Sequence, residues 1–240
     1  MKQAKNYIQE QGNRINILSE IEQKEIFEFP SFSREERVNF FELNYHEYNH
    51  FKKIRNNESK VLFVLQLGYF KAKFQFFIFT SEQVKEDILY ICKKYAEDIS
   101  SSNIKLISNE RTGKVQRKEI LNLVGFNEFK ETNEINKFIQ ELCQIDLNPK
   151  FLFENLYSYF IRNRVIVPKY YVFQLLIRKA IQTYEKQLHN NLSSLITKED
   201  EKKIENFMKL RDNDDYLSKL AFVRTSSKGF SQKYVLEEID

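Results

Sequence analysis

The chain is short of the residues that turn-rich and cofactor-built proteins need. Five glycines and three prolines in 240 residues are too few for an all-β chain and suit helices with short connections. Two cysteines, Cys92 and Cys143, exclude a disulfide framework and a cysteine metal cluster. They read as buried thiols of a reducing compartment. Three histidines leave little scope for a His-based site. No P-loop, glycine-rich dinucleotide loop, nucleophile elbow or CxxC occurs, so no cofactor is expected. The longest apolar run, Val61 to Phe70, is about half of a membrane span. The opening MKQAKNYIQEQG has no apolar signal core. Together these absences predict a soluble, intracellular, cytoplasmic chain without membrane attachment.

What is present is apolar and aromatic. With 42% hydrophobic residues, 22 Phe and 13 Tyr, the chain can bury the core of one large or two small domains. The organising stretch runs from Phe40 to Phe79. Asn44 with Glu47 three residues on forms a helix-capping pattern. Phe41, Tyr45, Tyr48 and Phe51 then recur at steps of three and four, one helical face. Val61 to Phe70 is apolar on nearly every side and is expected to be a buried helix. The segment FKAKFQFFIFT that follows suits either helix or strand.

Capping boxes at Ser19–Glu22 and Ser33–Glu36 predict two short helices before this stretch. The first must end before Pro30. The helices up to Phe70 are compatible with a helix-turn-helix and equally with any small three-helix core. Thr80 or Ser81 opens a helix on Val84, Ile88, Ile91 and Tyr95. Ser100 to Ser102 reads as a loop and Gly113 as a break. Val115 to Val124 reads as a helix with Gly125 as its C-cap. From Thr132 a second unit is expected: a helix to Cys143, a helix opened by Pro149 with Phe153, Tyr157 and Phe160 interior, a turn near Arg164, and a long helix from Pro168 toward Leu192. Thr197 with Asp200 caps a last helix to Leu210. The expectation is an all-α fold of two tandem helical units with helix-turn-helix-like elements and no large sheet. The units are residues 1–130, with 1–14 a frayed leader, and 131–240.

Net charge is a modest +4, but it is unevenly placed. Residues 52–73 carry +5, residues 102–118 carry +4 and residues 160–180 carry +5, leaving −10 for the remainder. Such polarity suits a basic face for a polyanion, or three solvated helix ends. The candidate contacts are Lys52, Lys53, Arg55, Lys60, Lys71 and Lys73 in the first stretch. They are Arg111, Lys114, Arg117 and Lys118 in the second, and Arg162, Arg164, Lys169 and Arg178 in the third. Arg forks onto guanine edges or phosphates, and Lys acts as a compact phosphate charge. The pattern His46-Glu47-Tyr48-Asn49-His50 also satisfies HExxH, the zinc-peptidase spacing. A catalytic zinc needs a third protein ligand. The metzincin extension would put Gly and His where Lys53 and Asn56 stand, so coincidence is the stronger reading.

Three segments carry a family resemblance. The first is Phe41-Glu42-Leu43, Arg55, and then Lys60 followed by VLFVLQLGYFK, in which Phe63, Leu65, Gln66, Leu67, Tyr69 and Lys71 match. The second is Thr112, Ile120, Gly125, Phe126 and Phe129. The third is Arg162, Arg164, Ile166 and Pro168 before a long helix. In this order they resemble the N-terminal region of replicative transposases of the Tn-three class, over roughly residues 18–238. The sequence departs from that family at Leu62, where a glycine is usual, and at Gln116, where a histidine is usual. The resemblance implies a nucleoid-associated, non-enzymatic chain that binds double-stranded DNA at the terminal inverted repeats of a mobile element. The metal-dependent strand-transfer domain of the family has no counterpart in these residues. A truncated product of this kind would meet the full-length transposase as competitor or partner. The alternative is a helical protein-interaction module, or an inactive transposase remnant with no specific DNA role.

Overall fold

A computed structural model describes residues 15–95, 110–208, 210–211 and 214–218. The leader, the Ser100–Ser102 loop and the tail after residue 218 lie outside the described residues. The fold is all-α, apart from one short ribbon, and the expected class holds. The helices are α1 Glu20–Phe27, α2 Arg34–Phe40, α3 Tyr45–Lys53, α4 Asn57–Lys73, α5 Lys85–Tyr95, α6 Glu110–Val124, α7 Asn133–Cys143, α8 Pro149–Arg162, α9 Tyr170–Leu195 and α10 Lys198–Met208.

Local chemistry sets most helix starts. Ser19, Ser33 and Asn44 cap α1, α2 and α3, each with its N3 glutamate reaching back to the cap. Asn56 caps α4, Thr132 caps α7, and Asn148 with Pro149 at the first turn starts α8. Gly113 does not break the chain but lies inside α6. A Cβ there would meet nothing within 4 Å, so this open position bears only the ordinary helical cost of glycine, about 1 kcal/mol. FKAKFQFFIFT resolves into both states. The helix runs to Lys73, Phe74 closes it in the left-handed region (φ 53°), and non-helical chain follows.

The chain separates into two compact units, Met1–Tyr184 and Glu185–Asp240. In the first, two apolar clusters form. The first cluster surrounds α4 and takes side chains from α2, α3, α5 and α6. Residues Val61 to Phe70 of α4 are all buried, including Gln66 and Gly68. Gly68 is required: a Cβ would lie 2.4 Å from Phe41 Cδ1. The second cluster joins α7, α8 and the first half of α9. It also takes in Ile15, Ile17 and Leu18, with Ile26 and Phe27 of α1 packed against it. The Tyr170 hydroxyl accepts from the amides of Ile17 (3.0 Å) and Leu18 (3.1 Å), and Gln174 donates to the Ile15 carbonyl at 2.6 Å. The expected boundary at 130/131 falls between the main bodies of the two clusters, inside the first compact unit. Residues 15–27 lie on the expected first side yet pack into the second cluster.

In the second unit, Thr197 precedes α10, its hydroxyl accepting from the Asp200 amide at 3.3 Å and donating to the Asp200 carboxylate at 2.6 Å. An antiparallel ribbon of β1 Leu210–Arg211 and β2 Asp214–Ser218 follows. No residue pattern announced this ribbon, and α10 ends at Met208, two residues before the expected Leu210.

Candidate nucleic-acid interface

The interface begins with the short link between α3 and α4. Ile54 ends α3 and Asn56 caps α4, so Lys52, Lys53 and Arg55 project from a tight corner, all exposed. Helix α6 lies beside this corner. Gln116 is buried and donates to the Ser59 carbonyl at 2.9 Å. One turn on, Glu119 Oε2 lies 3.5 Å from His50 Nε2, an ion pair when the imidazole is protonated. These contacts pack one face of α6 on the α3–α4 corner, while Lys114 and Lys118, each two residues from Gln116, stand roughly 160° around the helix on its exposed face. Two of the three basic stretches therefore come from elements that pack on one another, a basic seam.

Within the seam the cations differ in how free they are. Lys52 Nζ sits 4.5 Å from the Tyr48 ring centre and Lys60 Nζ 5.4 Å from that of Phe51, both cation–π contacts that leave the charge near water. The Arg117 guanidinium covers Phe76 at 5.7 Å, and its Nε is buried without a hydrogen-bond partner. Lys114 is exposed. Lys53, Arg55 and Lys118 make no hydrogen bond or ion pair among the described residues. The Arg111 side chain lies outside the described residues.

Four other candidates turn inward or are shared. Lys71 donates at 2.7 Å both to Glu47 Oε2, a buried carboxylate, and to the Glu42 carbonyl. Lys73 donates to the Glu25 carbonyl. Arg164 stands in the left-handed region (φ 51°) and donates to the Val124 carbonyl at 3.1 Å, closing the end of α6 beside Gly125. Arg178 is partly buried and has a partner within the protein. The cations at the end of α4 thus answer the protein's own buried acid and helix-end carbonyls. In the third stretch only Arg162 and Lys169 remain exposed and uncommitted among the described residues. The neighbouring Lys179 pairs with Glu131 at 2.7 Å, which holds that carboxyl below its usual range.

The HExxH spacing does not build a metal centre. Glu47 is 3% exposed, accepts from the Asn44 amide at 2.8 Å and pairs with Lys71. Its carboxylate is spent on the cap and the ion pair. His50 faces Phe63 and Glu119 instead. Among the described residues no group of three His, Cys, Asp or Glu side chains comes together to hold a metal. Both cysteines are buried, and burial pushes the Cys143 thiol up to about 11, far from a reactive thiolate.

Sequence reasoning missed a buried polar network behind the seam. Tyr69, fully buried on α4, donates to Asp87 Oδ2 at 2.5 Å. Arg37 donates to Asp87 Oδ1 at 2.7 Å and to Glu86 at 2.6 Å. Burial pushes the Tyr69 phenol well up, and the Asp87 hydrogen bond adds to this. The network ties α2, α4 and α5 together, and the only sequence sign was a tyrosine inside an apolar run.

A cleft of about 670 Å³ opens between the C-terminal half of α6, the 126–132 connector and the end of α8. Lys118 and Asn122 line one wall and Tyr159 and Asn163 another. Among the described residues no helix is long and apolar enough to cross a membrane. No relative was found among curated proteins. A family model described as a domain of unknown function (DUF4158) matches residues 17–180, more than half of the chain, and the protein belongs to that family.

Proposed function

We propose that this chain is a DNA-recognition region of the transposase type, binding the terminal inverted repeats of a mobile element. In this reading the described residues recognise DNA and do not cut it. The family is associated with transposases, which agrees with the motif resemblance to the Tn-three class. The observation that carries the reading is the seam of α3, α4 and α6. There Gln116 and Glu119 pack α6, which carries one basic stretch, against the corner that carries another, and Lys53, Arg55 and Lys118 stay exposed and uncommitted among the described residues. Exposed cations at helix ends and turns are where proteins meet DNA phosphates. The partner in the cell is double-stranded DNA, and the full-length transposase would share the same ends.

The test is a titration of inverted-repeat duplex and scrambled duplex at several salt concentrations. Tighter binding to the repeat, falling steeply with salt, is expected, because each phosphate neutralised adds about 0.9 to the slope of log K against log salt. Equal binding to both duplexes would reduce the reading to non-specific charge. No binding at low salt would overturn it in favour of a protein-interaction module.

A further inference from the structure

The cleft at the end of α6 has walls from both apolar clusters. Lys118, Leu121 and Asn122 come from α6, of which Leu121 belongs to the first cluster. Tyr159 and Asn163 come from the end of α8 in the second. Lys118 ends the basic seam described above, and Asn163 stands between Arg162 and Arg164. The cleft therefore separates the seam from the third basic stretch.

The joint beneath it is built of backbone and ring contacts. The Asn127 amide donates to the Arg164 carbonyl at 2.8 Å and the Ile166 amide to the Asn127 carbonyl at 2.9 Å, a parallel bridge between residues 127 and 165. The Val167 amide donates to the Phe74 carbonyl at 3.0 Å. The Phe74 and Phe126 rings stack at 5.5 Å, and Phe74 packs against both clusters. Three helix ends, at Phe74, Gly125 and Arg164, meet here, each in the left-handed region. Hydrogen-bonded backbone and stacked rings are not a flexible linker.

We infer that one duplex crosses this cleft. The two clusters then grip a single uninterrupted stretch of DNA instead of acting as two tethered modules on separate sites. This inference rests on the DNA reading above. The cleft itself suits the middle of such a footprint. Its cations Lys118 and Lys130 are matched by Glu128 and Glu134, so the floor is close to neutral. Asn122 and Asn127 bring side-chain amides that make no hydrogen bond within the described protein. Amides both donate and accept, which serves sugar, phosphate and base edges alike.

The experiment is a hydroxyl-radical footprint of the chain on the inverted-repeat duplex, with Asn122→Cys carrying an iron chelate as a second readout. Asn122 is exposed, and both native thiols are buried, so the introduced thiol is labelled selectively. One continuous protected stretch is expected, with chelate cleavage near its middle. Lys53→Ala and Lys169→Ala, at exposed positions to either side of the cleft lining, should each lower the salt slope by about 0.9 while shrinking opposite ends of that stretch. Two protected stretches parted by an open gap, or chelate cleavage outside the footprint, would overturn the inference and leave the DNA reading standing. Absence of any binding by the unmodified chain would overturn both.

Discussion

The two apolar clusters are built by opposite means. In the first, one helix is surrounded: ten successive residues of α4, Val61 to Phe70, are buried. In the second, each helix buries a stripe: Ile135, Ile139, Leu142 and Cys143 on α7, Leu152, Phe153, Leu156 and Phe160 on α8, and Phe173, Leu176, Ile177 and Ala180 on α9. A surrounded helix has no solvent face for polar groups. Its hydroxyl at Tyr69 and amide at Gln66 must find partners inside, and its cations must sit at its ends. A striped helix keeps its charges on its outer face. The difference teaches how to weigh a cation near an apolar run. At the end of a surrounded helix it serves the fold, as Lys71 does, and at a corner outside the core it is left over for a partner, as Lys53 is.

The comparison breaks most sharply at the buried network. Asp87→Ala would strand the Tyr69 hydroxyl and the inner face of Arg37 in the first cluster. Removing one partner of a buried pair costs about 3–5 kcal/mol, and a loss in that range is expected from the urea midpoint followed by circular dichroism. The second cluster has no such network among its buried residues. There Leu156→Ala, at a fully buried position, should cost about 2–5 kcal/mol through its cavity alone. It should do so equally at pH 5 and pH 8, since no ionisable partner is lost. Next comes crowding. Gly68→Ala places a methyl 2.4 Å from the Phe41 ring, and overpacking of this kind costs about 1–3 kcal/mol. Gly113→Ala, in open space on α6, should stabilise by about 1 kcal/mol. A Gly68→Ala chain as stable as the parent would mean that the surrounded helix is loosely packed.

Much of the fold was legible because it is locally encoded. Each capping box names its own helix start within four residues, and Pro149 and Gly125 mark a start and a stop by backbone chemistry alone. The surrounded helix showed itself as a run without periodicity. Pairings across long separations were not legible. Nothing near Lys71 announces Glu47, and nothing near Arg164 announces the end of α6. Nor does Ile15 or Leu18 announce a place beside Tyr170. The candidate site was legible as three charge clusters, but not as a seam, because the seam is made by contacts far apart in sequence, Gln116 on Ser59 and Glu119 on His50, none of which involves the clustered cations.

The same contrast separates fold from recognition in the cations. Lys71→Ala leaves Glu47 buried without its partner and should destabilise by about 1–3 kcal/mol. Its DNA affinity, measured well below the unfolding midpoint, should change little. Lys53→Ala and Arg55→Ala should each stay within about 0.5 kcal/mol of the parent and lower the salt slope by about 0.9. If Lys71→Ala alone lowered the slope while the corner variants did not, the division between serving the fold and serving the partner would be reversed.

The smallest effect tests how the first helix is held to the second cluster. Glu22 of α1 pairs with Lys150 of α8, and the Glu22 carboxyl falls from 4.5 to about 2. The Lys150 hydrogen bond is the largest cause, followed by the Ser19 hydroxyl and amide. A carboxyl lowered on folding adds stability that is fully present above its unfolded value, near pH 4.5, and is lost as pH falls through the folded value near 2. Both groups lie at the surface, so the contribution is small and screened by salt. Lys150→Met should return the Glu22 titration, followed by carbonyl NMR, further toward 4.5 than Ser19→Ala does. The reverse order would make the capping box the stronger hold, and α1 would then keep its acid resistance as an isolated turn, without the second cluster beside it.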